Sequence, residues 1–275
     1  MKSLLRYPDS KWNLANAIVG LLPEHKSYLE PYFGSGAVLF NKLVSPIETV
    51  NDLNLDVVNL FKIVRDRPLE LAEKLFLIPY SRKIYDDAFS AEPADDLDRA
   101  LNFIIKSVMS HGFRTIEKSG WKNDINGRER AYAVKHWNDL PEIIQDMTLR
   151  LKQVQIENRP ALELIKRFDK EDVCMYIDPP YVLSTRTRKQ YSFEMEDSDH
   201  IDLLETILKS KAKILISGYD CGLYNDYLKD WHRIEFDATA EKGLKRTEVL
   251  WLNYEPKRQI ELFEDNGNDI GGNNE

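Results

Sequence analysis

The chain has 275 residues, of which 43% are hydrophobic and 31% are charged, and its formal net charge at pH 7 is -8. This composition excludes an intrinsically disordered chain, and because no apolar run approaches the roughly 20 residues of a membrane span, we expect no membrane contact. The first residues are charged but contain no long apolar stretch, so we expect no signal peptide and a cytoplasmic location. Cys174 and Cys221 are the only cysteines and suit neither a disulfide framework nor a metal cluster, so no metal is predicted.

The negative net charge argues against nucleic-acid binding over the whole surface, because such binding depends on Lys and Arg. Two segments are nevertheless basic. Residues 102–136 contain seven basic and three acidic side chains, and residues 185–191 contain no acid. An acidic protein with two such patches can hold DNA on one face, although ordinary solvated surface charge also explains either patch taken alone.

The first predicted elements surround a pair of glycines. Apolar spacing predicts a helix over residues 11–22, and a strand over 27–31 runs directly into residues 33–36, Phe-Gly-Ser-Gly, which we name the glycine turn. A second helix is expected to begin at residues 37–40. A strand, a glycine turn and a helix in this order place unpaired backbone N–H groups beside a ligand. A single Gly-x-Gly is weak evidence for a ligand when it stands alone.

An acidic residue follows the next predicted strand, residues 48–50. In a nucleotide-binding βαβ unit, a carboxylate in the position of Asp52 can accept hydrogen bonds from both ribose hydroxyls. The alternative is that Asp52 caps the amphipathic helix predicted over residues 55–64.

Residues 67–149 lose the strand signals and contain three predicted amphipathic helices, over 69–75, 97–109 and 142–151. Residues 112–138 between the last two are polar and basic, with Phe113, Trp121, Tyr132 and Trp137 interleaved. Aromatic and basic side chains in alternation suit contact with phosphates and bases. They also suit a small insert that buries its own rings.

Strand and helix patterns then return. Strands are predicted over residues 154–157, 173–177, 213–217 and 246–254, and helices over 160–168 and 200–209. The alternation predicts an α/β fold, a Rossmann-like doubly wound sheet whose ligands lie outside the carboxyl ends of the strands. We expect one α/β domain from residues 1–66 and 150–256, a mainly helical insertion over 67–149 and a disordered tail over 257–275.

The strand over residues 173–177 ends in Asp178-Pro179-Pro180-Tyr181, which we name the proline turn. Two prolines fix φ twice and provide no N–H donors, so the turn is stiff and its carbonyls are unpaired. A planar amine stacked on Tyr181 could donate hydrogen bonds to the Asp178 carboxylate and the Pro179 carbonyl, as a flipped-out nucleobase would. The alternative is an ordinary turn that ends a strand.

In combination, these segments resemble the adenine-N6 DNA methyltransferases of the Dam type, which use S-adenosylmethionine. The resemblance rests on residues 6–11, 30–36, 52–54, 178–181, 215–220 and 246–248, which occur in the order typical of that family. The family is expected to methylate a flipped-out adenine in double-stranded DNA, and some members belong to restriction-modification systems. By this resemblance, residues 67–149 are the target-recognition domain, and the target is GATC or a related or relaxed site.

The resemblance assigns roles residue by residue. The catalytic residues are Asp178, Pro179, Pro180 and Tyr181. The residues expected to bind S-adenosylmethionine are Tyr7, Lys11, Glu30, Pro31, Tyr32, Phe33, Gly34, Ser35, Gly36, Ala37, Asp52, Leu53, Asn54, Ile156, Glu157 and Asp178. Asp52 would hold the ribose, and Ile156 and Glu157 would flank the cofactor's adenine. The residues expected to bind DNA are Lys106, His111, Arg114, Lys122, Asn123, Arg128, Arg130, Lys135, Arg186, Arg188, Lys189 and Tyr191.

Three alternatives stay open at this stage. An enzyme that methylates cytosine amines more often has Ser before Pro-Pro, and one that methylates glutamine side chains more often has Asn, so Asp178 favours adenine. A binding protein without activity is the third alternative, but Gly34, Gly36 and Asp178 are all present. A monomer is expected by default.

Overall fold

The computed structural model describes residues 1–5, 10–113, 115–125, 131–186, 191–239 and 245–256. Its centre is a seven-stranded sheet in the order β3-β2-β1-β4-β5-β7-β6. The strands are β1 (Ser27–Glu30), β2 (Ile47–Asn51), β3 (Gln155–Glu157), β4 (Val173–Ile177), β5 (Lys213–Tyr219), β6 (His232–Thr239) and β7 (Lys245–Leu252). The predicted Rossmann-like α/β fold is therefore confirmed.

Strands β1 to β5 are parallel, and β7 is antiparallel to both β5 and β6. All five residues of β4 are buried, as expected for a central strand that is covered on both faces. The strand order reverses between β1 and β4, so the chain leaves these two strands in opposite directions. A crevice forms at this position in such sheets, and it is where their ligands bind.

Nine α-helices lie in the described residues. They are α1 (Ala15–Gly20), α2 (Leu55–Asp66), α3 (Pro68–Leu77), α4 (Arg82–Ser90), α5 (Asp96–Met109), α6 (Tyr132–Leu151), α7 (Ala161–Arg167), α8 (Asp197–Leu208) and α9 (Gly222–Tyr227). No helix in these ranges is both long and apolar enough to cross a membrane.

The helical insertion shares a hydrophobic core with the sheet. Phe61 of α2, Phe103 of α5, Ile144 of α6 and Tyr28 of β1 belong to one cluster of buried side chains. In addition, the Thr148 hydroxyl of α6 donates a hydrogen bond to the Val64 carbonyl of α2 at 2.8 Å. Helix α6 also continues past the expected boundary at residue 149. The division of the chain into a catalytic domain and a target-recognition domain stays a prediction.

Several local predictions were wrong. Residues 37–42 form a series of hydrogen-bonded turns instead of a regular helix. Phe40 N–H donates to the Gly36 carbonyl and Lys42 N–H donates to the Val38 carbonyl, both at 3.0 Å. Helix α6 begins at Tyr132 instead of residue 142. The sequence pattern also missed α4, α9 and the edge strand β6, which are short or rich in polar residues. The predicted disordered tail lies outside the described residues.

Candidate active site

A cavity of about 310 Å³ opens at the carboxyl ends of β1, β2 and β4. Most of the residues expected to bind the cofactor line it together: Lys11, Glu30, Pro31, Tyr32, Phe33, Gly34, Ser35, Ala37, Asp52, Leu53, Asn54 and Asp178. Tyr7 lies outside the described residues. The sequence therefore predicted the location of this cavity, because three of its walls are strand ends.

The glycine turn has a backbone that only glycine adopts easily. Gly34 has φ 51° and Gly36 has φ 68°, both in the left-handed region. A Cβ built on Gly36 would lie 2.5 Å from the Phe33 ring, so the ring occupies the space that a side chain would need. The turn is fixed by two backbone bonds, from Phe33 N–H to the Asn51 carbonyl and from Gly36 N–H to the Phe33 carbonyl, each at 2.8 Å.

Asp52 holds the glycine turn against the end of β2. Its carboxylate accepts hydrogen bonds from Gly34 N–H and Asn54 N–H, both at 2.8 Å. Burial raises the pKa of Asp52 to about 6. The alternative role as helix cap is not observed, because the Asn54 side chain caps α2 by accepting from Asp56 N–H at 2.9 Å. Asp52 is therefore available as an acceptor in the cavity wall.

Glu30 at the end of β1 is a second acid in the wall. It accepts a hydrogen bond from the Tyr28 hydroxyl at 2.6 Å and is 2% exposed. Burial raises its pKa to about 8, which favours the protonated form at neutral pH. Glu30 therefore adds a polar group to the cavity without a full negative charge.

The proline turn is joined to the N-terminal segment by an ion pair. Lys11 Nζ lies 3.1 Å from Asp178 Oδ1 and 3.4 Å from Glu248 Oε1, and the lysine side chain is 5% exposed. Ser217 on β5 donates a hydrogen bond to the same Asp178 oxygen at 2.7 Å. One buried ammonium group therefore lies between two carboxylates, one of which belongs to the proline turn.

Tyr181 points into this cluster instead of the cavity. Its hydroxyl donates a hydrogen bond to Glu248, and burial raises its pKa. Lys11 Nζ lies 4.7 Å from the centre of the Tyr181 ring, and the Tyr219 ring packs edge-on at 4.6 Å. The ring is 3% exposed, so a base could stack on it only after one ring face is uncovered. The stacking role of Tyr181 stays a prediction.

Glu248 is a site residue whose role the sequence analysis missed. It lies on β7 opposite Tyr219 of β5 and is 4% exposed. Burial raises the pKa of its carboxyl group. The sequence did contain one signal, because Glu248 directly precedes the apolar run over residues 249–252. An acid beside a buried strand is expected to be buried with a partner.

The pair expected to flank the cofactor's adenine lies outside the lining of the cavity, and its role stays a prediction. Ile156 and Glu157 lie in the edge strand β3 and do not line the cavity. Glu157 instead contacts Arg159 at 3.5 Å and Arg167 at 3.7 Å. The register Asn51↔Glu157 ends β3 level with β2, so the chain reaches the cavity only after the strand, at residues 160–162.

Arg186, which was expected to bind DNA, is buried in this structure, and its role in DNA binding stays a prediction. Its side chain is only 1% exposed, and its guanidinium is paired with the Glu194 carboxylate. A phosphate contact requires a cationic group at the surface. Arg186 is therefore an internal residue of the fold.

The remaining candidates for DNA binding are distributed over the helical insertion and the cavity mouth. His111, Asn123 and Lys135 are exposed, Lys106 and Lys122 are half-buried, and Tyr191 lines the cavity. Arg114, Arg128, Arg130, Arg188 and Lys189 lie outside the described residues.

Two rings of the insertion belong to its core. The Trp137 indole donates a hydrogen bond to the Ile78 carbonyl at 2.9 Å and is 2% exposed. The Trp121 ring lies 5.6 Å from the Tyr80 ring. For these two side chains, the alternative of an insert that buries its own rings is confirmed.

Cys174 and Cys221 are both free thiols. Among the described residues, no group of three or more His, Cys, Asp or Glu side chains is arranged to hold a metal ion.

Comparison with known proteins gives a consistent result. The family model of the D12 class N6 adenine-specific DNA methyltransferases matches residues 7–241. A type II methyltransferase of Lactococcus lactis subsp. cremoris is 23% identical over 92% of this chain and 96% of its own length. The DNA adenine methylase of Salmonella typhi is 21% identical over 85% of this chain and 84% of its own. The DNA adenine methylase of Vibrio cholerae is 24% identical over 80% of this chain and 82% of its own.

Proposed function

Because this chain belongs to the D12 class of N6 adenine-specific DNA methyltransferases, we propose that it transfers a methyl group from S-adenosylmethionine to N6 of a flipped-out adenine in duplex DNA. The target is GATC or a related or relaxed site. The observation that carries the proposal is that Phe33, Gly34 and Ser35 of the glycine turn line one cavity together with Asp52 and Asp178. A cofactor and an amine held there would be adjacent.

The cavity suits S-adenosylmethionine in size and chemistry. Its volume of about 310 Å³ lies within the range of ligand pockets. The left-handed backbone of Gly34 and Gly36 keeps side chains out of the turn, and Asp52 provides oxygens that can accept from ribose hydroxyls. When bound, S-adenosylmethionine supplies a methyl group on a positively charged sulfur. The carboxylates of Asp52 and Asp178 favour a cation in the cavity.

Asp178 performs the central task in this proposal. Its carboxylate and the Pro179 carbonyl accept the two amino hydrogens of adenine, which directs the nitrogen lone pair toward the methyl group. With S-adenosylmethionine bound, this nitrogen would form a bond to the methyl carbon as the carbon–sulfur bond breaks, the sulfur would leave as a neutral thioether, and the amine proton would pass to solvent. Positive charge develops on the nitrogen during this step, and the nearby carboxylate stabilises it.

Lys11 and the incoming amine would share the Asp178 carboxylate. In this structure its ammonium group is bound to both Asp178 and Glu248. When the adenine amine approaches, the ammonium can stay with Glu248 and leave the Asp178 oxygen. Glu248 therefore provides a second anion that keeps a buried cation paired throughout the reaction.

We also propose that the helical insertion is the target-recognition part and that the partner is double-stranded DNA. Its exposed His111, Asn123 and Lys135 are available for contact with DNA. Reaction by positioning and charge requires no metal, and the protein acts as a monomer.

Nucleoside analysis tests the proposal directly. The purified protein is incubated with S-adenosylmethionine and unmethylated duplex DNA, and the digested DNA is analysed by mass spectrometry. We expect N6-methyladenine from the wild-type protein and none from Asp178→Ala, while Asp178→Ala still binds the cofactor. N4-methylcytosine, or the absence of any methylated base, would contradict the proposed function.

A further inference from the structure

Arg186 is a buried cation that contacts the proline turn. Its Nε donates a hydrogen bond to the Tyr181 carbonyl at 2.9 Å, and residue 186 follows the turn by only five positions. A charged group in the interior is tolerated when its hydrogen bonds are satisfied and it has a counter-ion. The Tyr181 carbonyl satisfies one of these donors, so the guanidinium fixes the last residue of the turn.

Glu194 is the counter-ion. The two terminal nitrogens of Arg186 donate to the two carboxylate oxygens of Glu194, Nη1 to Oε1 at 3.2 Å and Nη2 to Oε2. This two-pronged geometry matches the planar guanidinium and is not available to a lysine. The pair therefore has a defined orientation as well as opposite charge.

Glu194 belongs to one wall of the cavity. Residues 191–195, which we name the wall segment, all line it. The Glu194 carboxylate also accepts a hydrogen bond from Tyr191 N–H at 3.0 Å, and the Arg186 guanidinium lies 5.2 Å from the centre of the Tyr191 ring. On the opposite side, the Ser192 hydroxyl accepts a hydrogen bond from the Asn54 amide at 3.4 Å. The wall segment thus spans the cavity from Arg186 to the start of α2.

We propose that Arg186 and Glu194 are positioning residues that hold the wall segment over the cofactor and the proline turn beside it. This inference rests on the proposed function, because it assumes that S-adenosylmethionine occupies the cavity. The Arg186 guanidinium bonds the Tyr181 carbonyl, beside the proposed adenine site, and Glu194 of the wall segment, beside the proposed cofactor site. Loss of the ion pair would free the wall segment from Arg186, so the affinity for the cofactor would fall even when DNA is absent.

The test uses four single variants and one double variant of the full chain. Arg186→Met removes the positive charge, and Arg186→Lys keeps the charge but loses the two parallel hydrogen bonds. Glu194→Gln keeps the size of the side chain but removes its negative charge. The double variant combines Arg186→Met with Glu194→Gln. Arg233→Met is the control, because Arg233 also forms ion pairs, with Asp220 and Glu235, and none of these three residues lines the cavity. Calorimetry measures the Kd for S-adenosylmethionine without DNA, and a salt titration measures DNA affinity.

We expect Arg186→Met and Glu194→Gln each to raise the Kd for S-adenosylmethionine about tenfold, equivalent to about 1.4 kcal/mol. The double variant should be no worse than either single variant, since both changes break one interaction. Arg186→Lys should lie between wild type and Arg186→Met, Arg233→Met should match wild type, and the salt dependence of DNA affinity should be unchanged throughout. The double-variant comparison therefore tests whether the two residues act as one pair.

Two results would overturn the inference. One is a Kd for S-adenosylmethionine within twofold of wild type in both Glu194→Gln and Arg186→Lys, which keep the packing of the pair. The other is a salt slope reduced by about one in Arg186→Met with unchanged cofactor affinity, the sign of a phosphate contact. Failure of the wild-type protein itself to bind S-adenosylmethionine would instead contradict the proposed function.

Discussion

Lys11 and Asp178 form a buried ion pair, with Nζ 3.1 Å from Oδ1, that joins the N-terminal segment to the end of β4. The two residues lie far apart in the chain and are brought together by the central position of β4 beside β1. The pair fixes the position of the Asp178 carboxylate before a substrate arrives. Its second partner, Glu248, gives the ammonium a place to remain when the substrate amine takes over Asp178.

Replacement of Glu248 tests this exchange of partners. Glu248→Gln retains an oxygen for the Tyr181 hydroxyl but removes the second negative charge near Lys11, so the lysine binds Asp178 more tightly and competes with the amine. We expect kcat to fall about tenfold, and the Kd for S-adenosylmethionine to stay within about twofold of wild type. Glu235→Gln, on the exposed face of the neighbouring β6, is the control and should have normal kcat. A normal kcat for Glu248→Gln would contradict the exchange.

Cofactor affinity should depend on pH through Asp52. Because burial raises the pKa of Asp52 to about 6, the carboxylate that is proposed to accept ribose hydroxyls becomes protonated below that pH. Protonation removes acceptors, so affinity falls as pH decreases, and at pH 5 the Kd should be about tenfold higher than at pH 7.5. Calorimetry without DNA measures this profile. In Asp52→Asn the affinity should be weaker at pH 7.5 and nearly independent of pH, and a profile in the variant that matches wild type would exclude Asp52 as the titrating group.

Gly36→Ala should damage the cofactor site. The φ of 68° is unfavourable for alanine, and the new Cβ would meet the Phe33 ring at 2.5 Å. We expect a loss of about 1–3 kcal/mol in the free energy of unfolding and a Kd for S-adenosylmethionine at least tenfold higher. Gly222→Ala is the control, because no atom lies within 4 Å of its Cβ position. Denaturant unfolding and calorimetry measure the two quantities, and equal behaviour of the two variants would argue against a special role for the turn.

The basic residues Arg128 and Arg130 of the insertion should contact DNA phosphates. Replacing both by Ala removes two cations, so we expect weaker binding to every duplex and a salt slope smaller by up to about two. Binding is followed by fluorescence anisotropy at several salt concentrations. The control is the pair Lys209→Ala and Lys229→Ala, two exposed lysines outside the insertion. An unchanged salt dependence of DNA binding in the Arg128 and Arg130 double variant would show that these two residues do not contact DNA phosphates.

The positions of the cavity walls followed from local sequence signals. Asp52 and the proline turn each mark the end of a strand, and Gly34 and Gly36 mark a backbone that needs glycine, so neighbouring residues alone determine these features. The carboxyl ends of β1, β2 and β4 then meet because the strands are parallel neighbours.

The inner cluster could not be predicted in this way. Glu248 reaches Lys11 and Tyr181 only because β7 inserts antiparallel between β5 and β6, a pairing that no local pattern encodes. Arg186 lies in a run of basic residues typical of a surface, whereas its burial and its ion pair with Glu194 are tertiary features. For the same reason the sequence could not tell whether the Tyr181 ring faces the cavity or the cluster.

Helix α6 shows a different cause of error. Its first half contains polar and basic residues, but Ala133, Trp137 and Leu140 are buried at helical spacing and face the core. The composition of this stretch suggested a loop that contacts DNA, whereas the spacing of its few apolar residues was the better signal.

The most direct test of the central claim is a map of modified bases in DNA from cells that express the wild-type protein or Asp178→Ala. The account predicts N6-methyladenine at one position of GATC, or of one related or relaxed site, with the wild-type protein. It predicts no such mark with Asp178→Ala produced at the same level. Methylated cytosine with the wild-type protein, or adenine methylation that persists in Asp178→Ala, would contradict it.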